Sequence, residues 1–282
     1  MFERRRYVIK LLAVLAAVML VAAACGEEEP EDTGGLGDTE TEAPAVTTLT
    51  EGTLLVGSCL DFRPFEYREG GELKGFDVDL VGAIAERLGL EVEFKKANFD
   101  TIFTAVAAGQ FDIVAAASTI TEERDQVVDF SDPYYAARQG FAVNTEETPD
   151  VDSLDDLGEG DVIGVQKGTT GKAYAEENAP EGVEIKTFQV ISQAFTDLEG
   201  GRVTAIVNDE PSSVAEVEQR PGLEVTEAFD TGENYGFAFS EENQELIEAV
   251  NQTLADLIAD GTYAEIFETY FPGTPVPEQF QA

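Results

Sequence analysis

The sequence predicts an α/β chain of two lobes, each a mostly parallel sheet flanked by helices. Strand-like and helix-like patterns alternate from residue 51 to about residue 270, in one series before residue 140 and a second after it. Such alternation builds parallel strands with the connecting helices laid on the sheet faces. Residues 111–117 (FDIVAAA) read as one apolar run, the pattern of a strand buried on both faces. The helical segments carry a single apolar stripe and end at glycine, as helices packed on a sheet do.

In the first series, Thr53–Ser58 is strand-like. A helix over 77–88 sets Leu80, Ile84 and Leu88 on one stripe, with Gly89 placed to close it. A strand over 92–95 follows, then a helix over 101–108 closed by Gly109, then the apolar strand 111–117. In the second series, Ser153 is placed to cap a short helix with Asp156 at its third position. The same acid-rich stretch, 150–161, lacks the alternating ligand register and terminal Glu of a calcium loop. Strands over 162–165, 183–188 and 205–208 then alternate with helices over 169–178 and 192–198. A strand over 236–239, the amphipathic helix Gln244–Ala259 and a short helix over 264–270 end the fold.

The first 24 residues have a basic head, an apolar middle and small residues before Cys25, the layout of a secretory signal peptide. The apolar part falls short of the ~20 residues that span a bilayer. Ala22-Ala23-Ala24-Cys25 resembles a bacterial lipobox, in which Cys25 becomes a lipidated N-terminus, with Ala where Leu is usual. Arg4-Arg5-Arg6-Tyr7 resembles a twin-arginine signal, so both export routes stay open. Residues 25–50 are acidic and poor in bulky apolar side chains, so they cannot form a core. They are expected to be a flexible tether of roughly 25–30 Å. An acyl chain on Cys25 would hold the protein at the membrane with its folded part in water.

Acids number 57 against 17 bases, a net charge of −40, and histidine is absent. With no basic cluster beyond the head, nothing neutralises phosphates, which excludes nucleic acid as a partner. The acids scatter over presumed helix faces, a solvated surface of the kind adapted to high salt. Only Cys59 remains once Cys25 is set aside, so no intramolecular disulfide is expected. Without His or C-x-x-C, no metal site or other cofactor is expected either. No second apolar run reaches spanning length, so neither a multi-pass transporter nor a transmembrane receptor is expected.

In open α/β sheets, ligands bind beyond the carboxyl ends of the strands. The strand 111–117 ends there, in Ser118, Thr119, Thr121 and Arg124. Helix N-terminal amides, the Thr119 hydroxyl and the Arg124 guanidinium would seat a small anion, and Arg matches a carboxylate in bidentate fashion. Spacing alone leaves a plainer alternative open, with Thr119 and Thr121 as helix caps and Arg124 as the partner of Asp129.

Gly75-Phe76-Asp77-Val78-Asp79-Leu80, followed by Ile84, Ala85 and Leu88, resembles the signature of the extracellular solute-binding proteins of family 3, the amino-acid receptors of ABC importers. Pro64-Phe65-Glu66, Phe99-Asp100, TITEER (119–124), DFSDPYY (129–135), Gly164-Val165-Gln166, GTTG (168–171) and Tyr235-Gly236 agree in the same order. The resemblance covers residues 51–272. It implies a type II periplasmic-binding-protein-like clamshell, with lobe 1 made of 51–137 and 236–275 and lobe 2 of 138–235. Two crossovers are expected, near 135–140 and 232–236.

Carried over by position, the resemblance implies that Arg124 grips the ligand's α-carboxylate with the Thr119 hydroxyl and amide and the backbone of Thr170. Asp209, with the Ala117 carbonyl, is expected to accept from the α-ammonium, and Phe62 and Phe99 to sandwich the side chain. Phe65, Phe76 and Phe130 are left to the core. Many members carry Asp where this chain has Cys59, which argues against a strong preference for lysine or arginine, because a thiol is neutral at pH 7 unless its pKa is lowered. Arg63 is expected to face solvent. Gln166 and Asn208 add neutral polar groups near the side-chain end, so glutamine and then glutamate are the expected ligands. The expected protein is an extracytoplasmic, lipid-anchored monomer that delivers its ligand to a membrane permease and performs no chemistry. A small-carboxylate dehydratase on the same fold and a sensor for a separate signalling protein are the alternatives.

Overall fold

A computed structural model describes residues 46–282. The expected signal peptide, the lipidation of Cys25 and most of the tether lie outside the described residues. The first part of the chain runs β1 (Thr53–Ser58), β2 (Asp61–Phe62), β3 (Glu66–Glu69), β4 (Glu72–Lys74), α1 (Phe76–Arg87), β5 (Glu91–Lys96), α2 (Phe99–Ala107), β6 (Ile113–Val114) and β7 (Asp129–Phe130). Then come β8 (Tyr135–Asn144), β9 (Val162–Gln166), α3 (Thr170–Asn178), β10 (Glu184–Phe188), α4 (Ile191–Glu199), β11 (Ala205–Asp209) and α5 (Glu210–Val217). Finally β12 (Leu223–Tyr235), β13 (Ala238–Phe239), α6 (Gln244–Ala259) and α7 (Thr262–Tyr270) close the fold. Among the described residues, no helix is long and apolar enough to cross a membrane.

The α/β expectation is met by two five-stranded sheets, in the orders β5-β1-β6-β13-β7 and β10-β9-β11-β8-β12. In each, three strands pair in parallel and two more join antiparallel. A small antiparallel sheet, β2-β3-β4, sits beside the first. Helix α1 buries Leu80, Val81, Ile84 and Ala85 against its sheet, and Asp77 and Asp79 in its first turn suit the positive end of the helix dipole. Gly75 precedes it at φ 138°, where a Cβ would lie 1.9 Å from the Phe65 carbonyl oxygen. No other residue fits that corner.

The two long strands β8 and β12 pair antiparallel, with Tyr135 opposite Tyr235. Their rings stack at 5.4 Å, and Phe65 lies edge-on to both at 5.0 and 5.3 Å. Phe76, Phe267 and Phe271 complete an aromatic cluster around Tyr135. Burial of each such side chain contributes about 2–3 kcal/mol. The cluster fixes the strand pair that joins the sheets to the first-sheet core. Phe65 and Phe76 are buried as expected, and Phe130 is partly so.

Some elements differ from the sequence expectation. The apolar run 111–117 pairs as a strand only over Ile113–Val114. Beyond that, Ala117 takes a left-handed conformation at φ 45°, and its N–H donates to the Asp77 carboxylate at 2.9 Å instead of to a sheet neighbour. The segment after it forms a three-residue 3-10 turn, Arg124–Gln126, where a helix N-terminus was expected to supply amides. Ser153 and Asp156 do form a reciprocal capping box, around the single turn Leu154–Asp156. The β2-β3-β4 sheet, helix α5 and the lengths of β8 and β12 were not anticipated.

Candidate functional site

Cys59, Phe62, Phe99, Ala117, Thr119, Arg124, Gln166, Thr170, Asn208 and Asp209, all singled out from the sequence, line one cavity between the two sheets. They gather at the carboxyl ends of strands, where open α/β sheets place ligands. Cys59 follows β1 and Gln166 ends β9, while Asn208 and Asp209 end β11. Phe99 and Thr170 open helices α2 and α3. Four further lining residues, Asp61, Glu66, Ala116 and Thr169, were not singled out from the sequence. Arg63 turns away, donating to Glu69 at 3.2 Å and lying over the Tyr67 ring.

The cleft is closed. Arg124 Nη2 donates to the Gly168 carbonyl across it at 3.1 Å, and Lys167 pairs with Asp100 at 2.9 Å. The cavity left inside is about 20 Å³, room for a water molecule or so. A larger solute enters only if the sheets part.

Arg124 lies over the rings of Phe99 and Phe103, at 5.2 and 4.6 Å from the centroids. Its Nη1 donates to the Thr119 carbonyl at 2.6 Å, and it makes no ion pair with Asp129. Burial lowers its pKa to about 10, against the pull of Asp209 and Glu233, so it stays a cation at neutral pH. Asp209 Oδ2 accepts from the Tyr235 hydroxyl at 2.5 Å and Oδ1 from Gln139 Nε2 at 2.6 Å. Burial pushes its carboxyl up to about 7, and Glu233 adds to the rise. Asp77, buried below Ala117, also reaches about 7 through burial, against the Ala117 N–H and the Tyr134 hydroxyl. It holds the turn that presents Ala117 to the cavity.

Glu233, on β12, is a residue the sequence did not flag. Its Oε2 accepts from Thr119 Oγ1 at 2.7 Å and from Thr170 Oγ1 at 2.8 Å, tying the two sides of the cleft together. Each hydroxyl has one proton. Both are directed at Glu233, so toward the cavity these threonines offer lone pairs. Asn208 similarly directs its amide hydrogens to the Asp209 carbonyl and Ser213 Oγ, both at 3.2 Å. Gln166 donates to the Gln189 carbonyl at 3.2 Å. The Cys59 thiol is pushed well up by burial, then by Glu66 and Asp61, so it is neutral. Gln139 and Glu233 left no sequence signal, because their importance comes from cross-strand contacts of β8 and β12.

The arrangement sets one cation, Arg124, and the hydrogen-bonded acid Asp209 in a cavity walled by Phe62 and Phe99, with Asp61 and Glu66 also in its lining. Comparison with known proteins bears on it. Residues 54–273 match the model of the bacterial extracellular solute-binding proteins, family 3. The histidine-binding periplasmic protein of Escherichia coli (strain K12) is 32% identical over 228 residues, 77% of this chain and 86% of that protein. An ABC transporter glutamine-binding protein of Bacillus subtilis (strain 168) is 29% identical over 278 residues, 96% of this chain and 99% of that one. Among solved structures, an ancestral arginine-binding protein bound to arginine superposes with a TM-score of 0.74 at 43% identity, covering 78% of this chain and 98% of that one. An ancestral amino-acid-binding protein described as a precursor of cyclohexadienyl dehydratase gives 0.72 at 36% identity, covering 78% and 96%.

Proposed function

This chain belongs to the bacterial extracellular solute-binding proteins, family 3, and from that premise we propose that it binds a polar amino acid between its lobes and delivers it to the permease of an ABC importer. One observation carries the reading: Arg124 and Asp209, opposite in charge, each held by hydrogen bonds, line the same cavity. A zwitterion is costly to desolvate unless both its charges meet fixed partners. Arg124, with the backbone N–H groups of Thr119 and Thr170, takes the α-carboxylate, and the N-terminus of α3 adds a favourable dipole. Asp209, the Ala117 carbonyl and the Thr119 hydroxyl oxygen accept from the α-ammonium. Phe62 and Phe99 pack the side chain, whose end meets Cys59, Gln166 and Asn208.

Glutamine is favoured over glutamate, because Asp61 and Glu66 adjoin Cys59 and the cavity lining holds no base but Arg124. The strands β8 and β12 serve as the hinge. Lipidation at Cys25 holds the protein, as a monomer, on the outer side of the cell membrane.

The test is a thermal-unfolding screen of refolded protein against the twenty amino acids, read by circular dichroism because the chain has no Trp. A ligand at ~1,000 times its Kd stabilises by about 4 kcal/mol, which raises Tm by roughly 10 °C. The Arg124→Ala variant should fold and lose that shift. No shift with any amino acid, on cooperatively unfolding protein, would mean the cleft holds another kind of solute.

A dehydratase is the second reading, favoured by the likeness to a dehydratase precursor and by the buried acid Asp209, which burial raises to about 7 and so suits to proton transfer. Recovery of the bound amino acid unchanged after long incubation supports binding alone.

A further inference from the structure

The pairing of β12 with β8 slips beside the cleft. Phe229 lies opposite Gln139 and Glu233 opposite Ala137, so β12 runs from 229 to 233 while β8 runs only from 139 to 137. Gly232 sits inside the slip at φ 66°. Extra residues of this kind bend a strand and re-aim a side chain, and the side chain re-aimed here is that of Glu233. Its Oε2 takes the hydroxyl protons of Thr119 and Thr170, one from each side of the cleft. Its Oε1 accepts from Thr231 Oγ1 at 2.9 Å and from Gln139 Nε2 at 3.2 Å, which holds the carboxylate in place.

One oxygen can accept from both threonines only while the two sides of the cleft are together. Every donor and acceptor in this set belongs to the chain itself. Closure therefore gains hydrogen bonds to a charged acceptor, the stronger kind, whether or not a solute is held. The other two contacts across the cleft do less on their own. Lys167, paired with Asp100, is half exposed, and such pairs contribute little. Arg124, which donates to the Gly168 carbonyl, also has the ligand carboxylate to serve. Glu233 is not among the residues that line the cavity, so a solute seated there leaves the bonds to both threonines in place. They favour the closed form by the same factor with and without it.

We propose that Glu233 is a latch that shuts the cleft ahead of the ligand, and that it governs how fast an amino acid enters and leaves more than how tightly it is held. The kinetic half of the proposal rests on the amino-acid-binding reading, and the conformational half does not. A closed cavity of about 20 Å³ admits no amino acid, so entry and exit both pass through the open form. The latch makes the open form of the free protein scarce, which slows entry and lowers apparent affinity by the open fraction. It makes the open form of the complex scarcer by the same factor, which slows release. With the free protein mostly closed, the two effects cancel in Kd and persist in both rate constants. A residue that only supported the fold would change Tm and leave the rates alone.

The experiment joins small-angle X-ray scattering to stopped-flow kinetics with glutamine, read by tyrosine fluorescence because the chain has no Trp. Both are run at pH 8.5. Glu233 helps raise the Asp209 carboxyl to about 7, and at pH 8.5 that acid is ionised with or without Glu233. The free wild type should scatter as the closed form and contract no further with glutamine. Free Glu233→Ala should be expanded and contract when glutamine is added. Its association and dissociation rate constants should both rise at least tenfold, while Kd moves far less than either. A free wild type that is expanded and contracts with glutamine overturns the proposal. An unchanged association rate in folded Glu233→Ala also overturns it, because the latch would then act in the complex alone. Should Glu233→Ala fail to fold by circular dichroism, Glu233→Gln decides on the same readouts, with smaller increments in the same directions. If no amino acid binds, the functional reading falls by itself, and the scattering of the two free proteins still decides the latch.

Discussion

At Asp209, burial and Glu233 raise the carboxyl to about 7, while Tyr235, Gln139 and Arg124 pull it down. An acid raised on folding contributes stability that is present below its unfolded pKa and lost as pH rises through its folded value. Binding reverses the balance, since an α-ammonium favours the ionised form. Affinity for a neutral amino acid should therefore rise with pH up to about 7 and then level off. We expect Kd to be about tenfold weaker at pH 5.5 than at pH 7.5. Asp209→Asn should flatten that profile and weaken binding at pH 7.5 by ~2 kcal/mol or more. A flat wild-type profile would place the ammonium elsewhere. At this scale the sequence was informative about chemistry and silent about partners. Arg124 was legible from its place in a recognisable motif, and Asp209 from its position at the end of an apolar strand. Glu233 was not, because only the pairing of β12 with β8 brings it between Thr119 and Thr170. The Thr119 hydroxyl, expected to donate to a ligand carboxylate, turns out to spend its proton on that acid.

Among the elements, the turn that opens α3 decides how closely the lobes meet. Gly168 has φ 79°, and a Cβ there would lie 3.1 Å from the Asp100 Cα at the start of α2. Its carbonyl accepts from Arg124 across the cleft. Gly168→Ala should hold the lobes apart as well as strain the backbone, which costs roughly 1 kcal/mol. Amino-acid affinity is expected to fall about tenfold while the variant remains folded, as titration calorimetry and circular dichroism would report. Unchanged affinity would mean that closure does not bring these two segments into contact. Periodicity was enough to find α1, α6 and the parallel strands, because each has one face or both faces committed to the core. It failed for β12, whose mixed and polar residues, LEVTEAFDTGENY, are mostly half-buried or exposed. It also overextended the strand at 111–117, because the carboxylate of Asp77, 40 positions away, takes the Ala117 N–H.

For the whole molecule, a net charge of −40 makes self-repulsion a destabilising force that salt screens over about 10 Å at 0.1 M. Raising salt from 0.05 to 1 M should lift Tm by roughly 5 °C or more. Lowering pH from 8 to 5 should raise Tm as well, because Glu66, Asp77 and Asp209 all have raised pKa values and the net charge shrinks. A Tm independent of salt would refute a surface adapted to high salt. The sequence by itself determined the α/β class, the two-series layout, the family and the charged pair expected at the cleft, since these follow from local periodicity and from short motifs. Tertiary structure alone decided the antiparallel strands that complete each sheet and the latch at Glu233. These depend on which residues, far apart in the chain, share one buried space, and desolvation there sets hydrogen bonding and charge in a way no local pattern records.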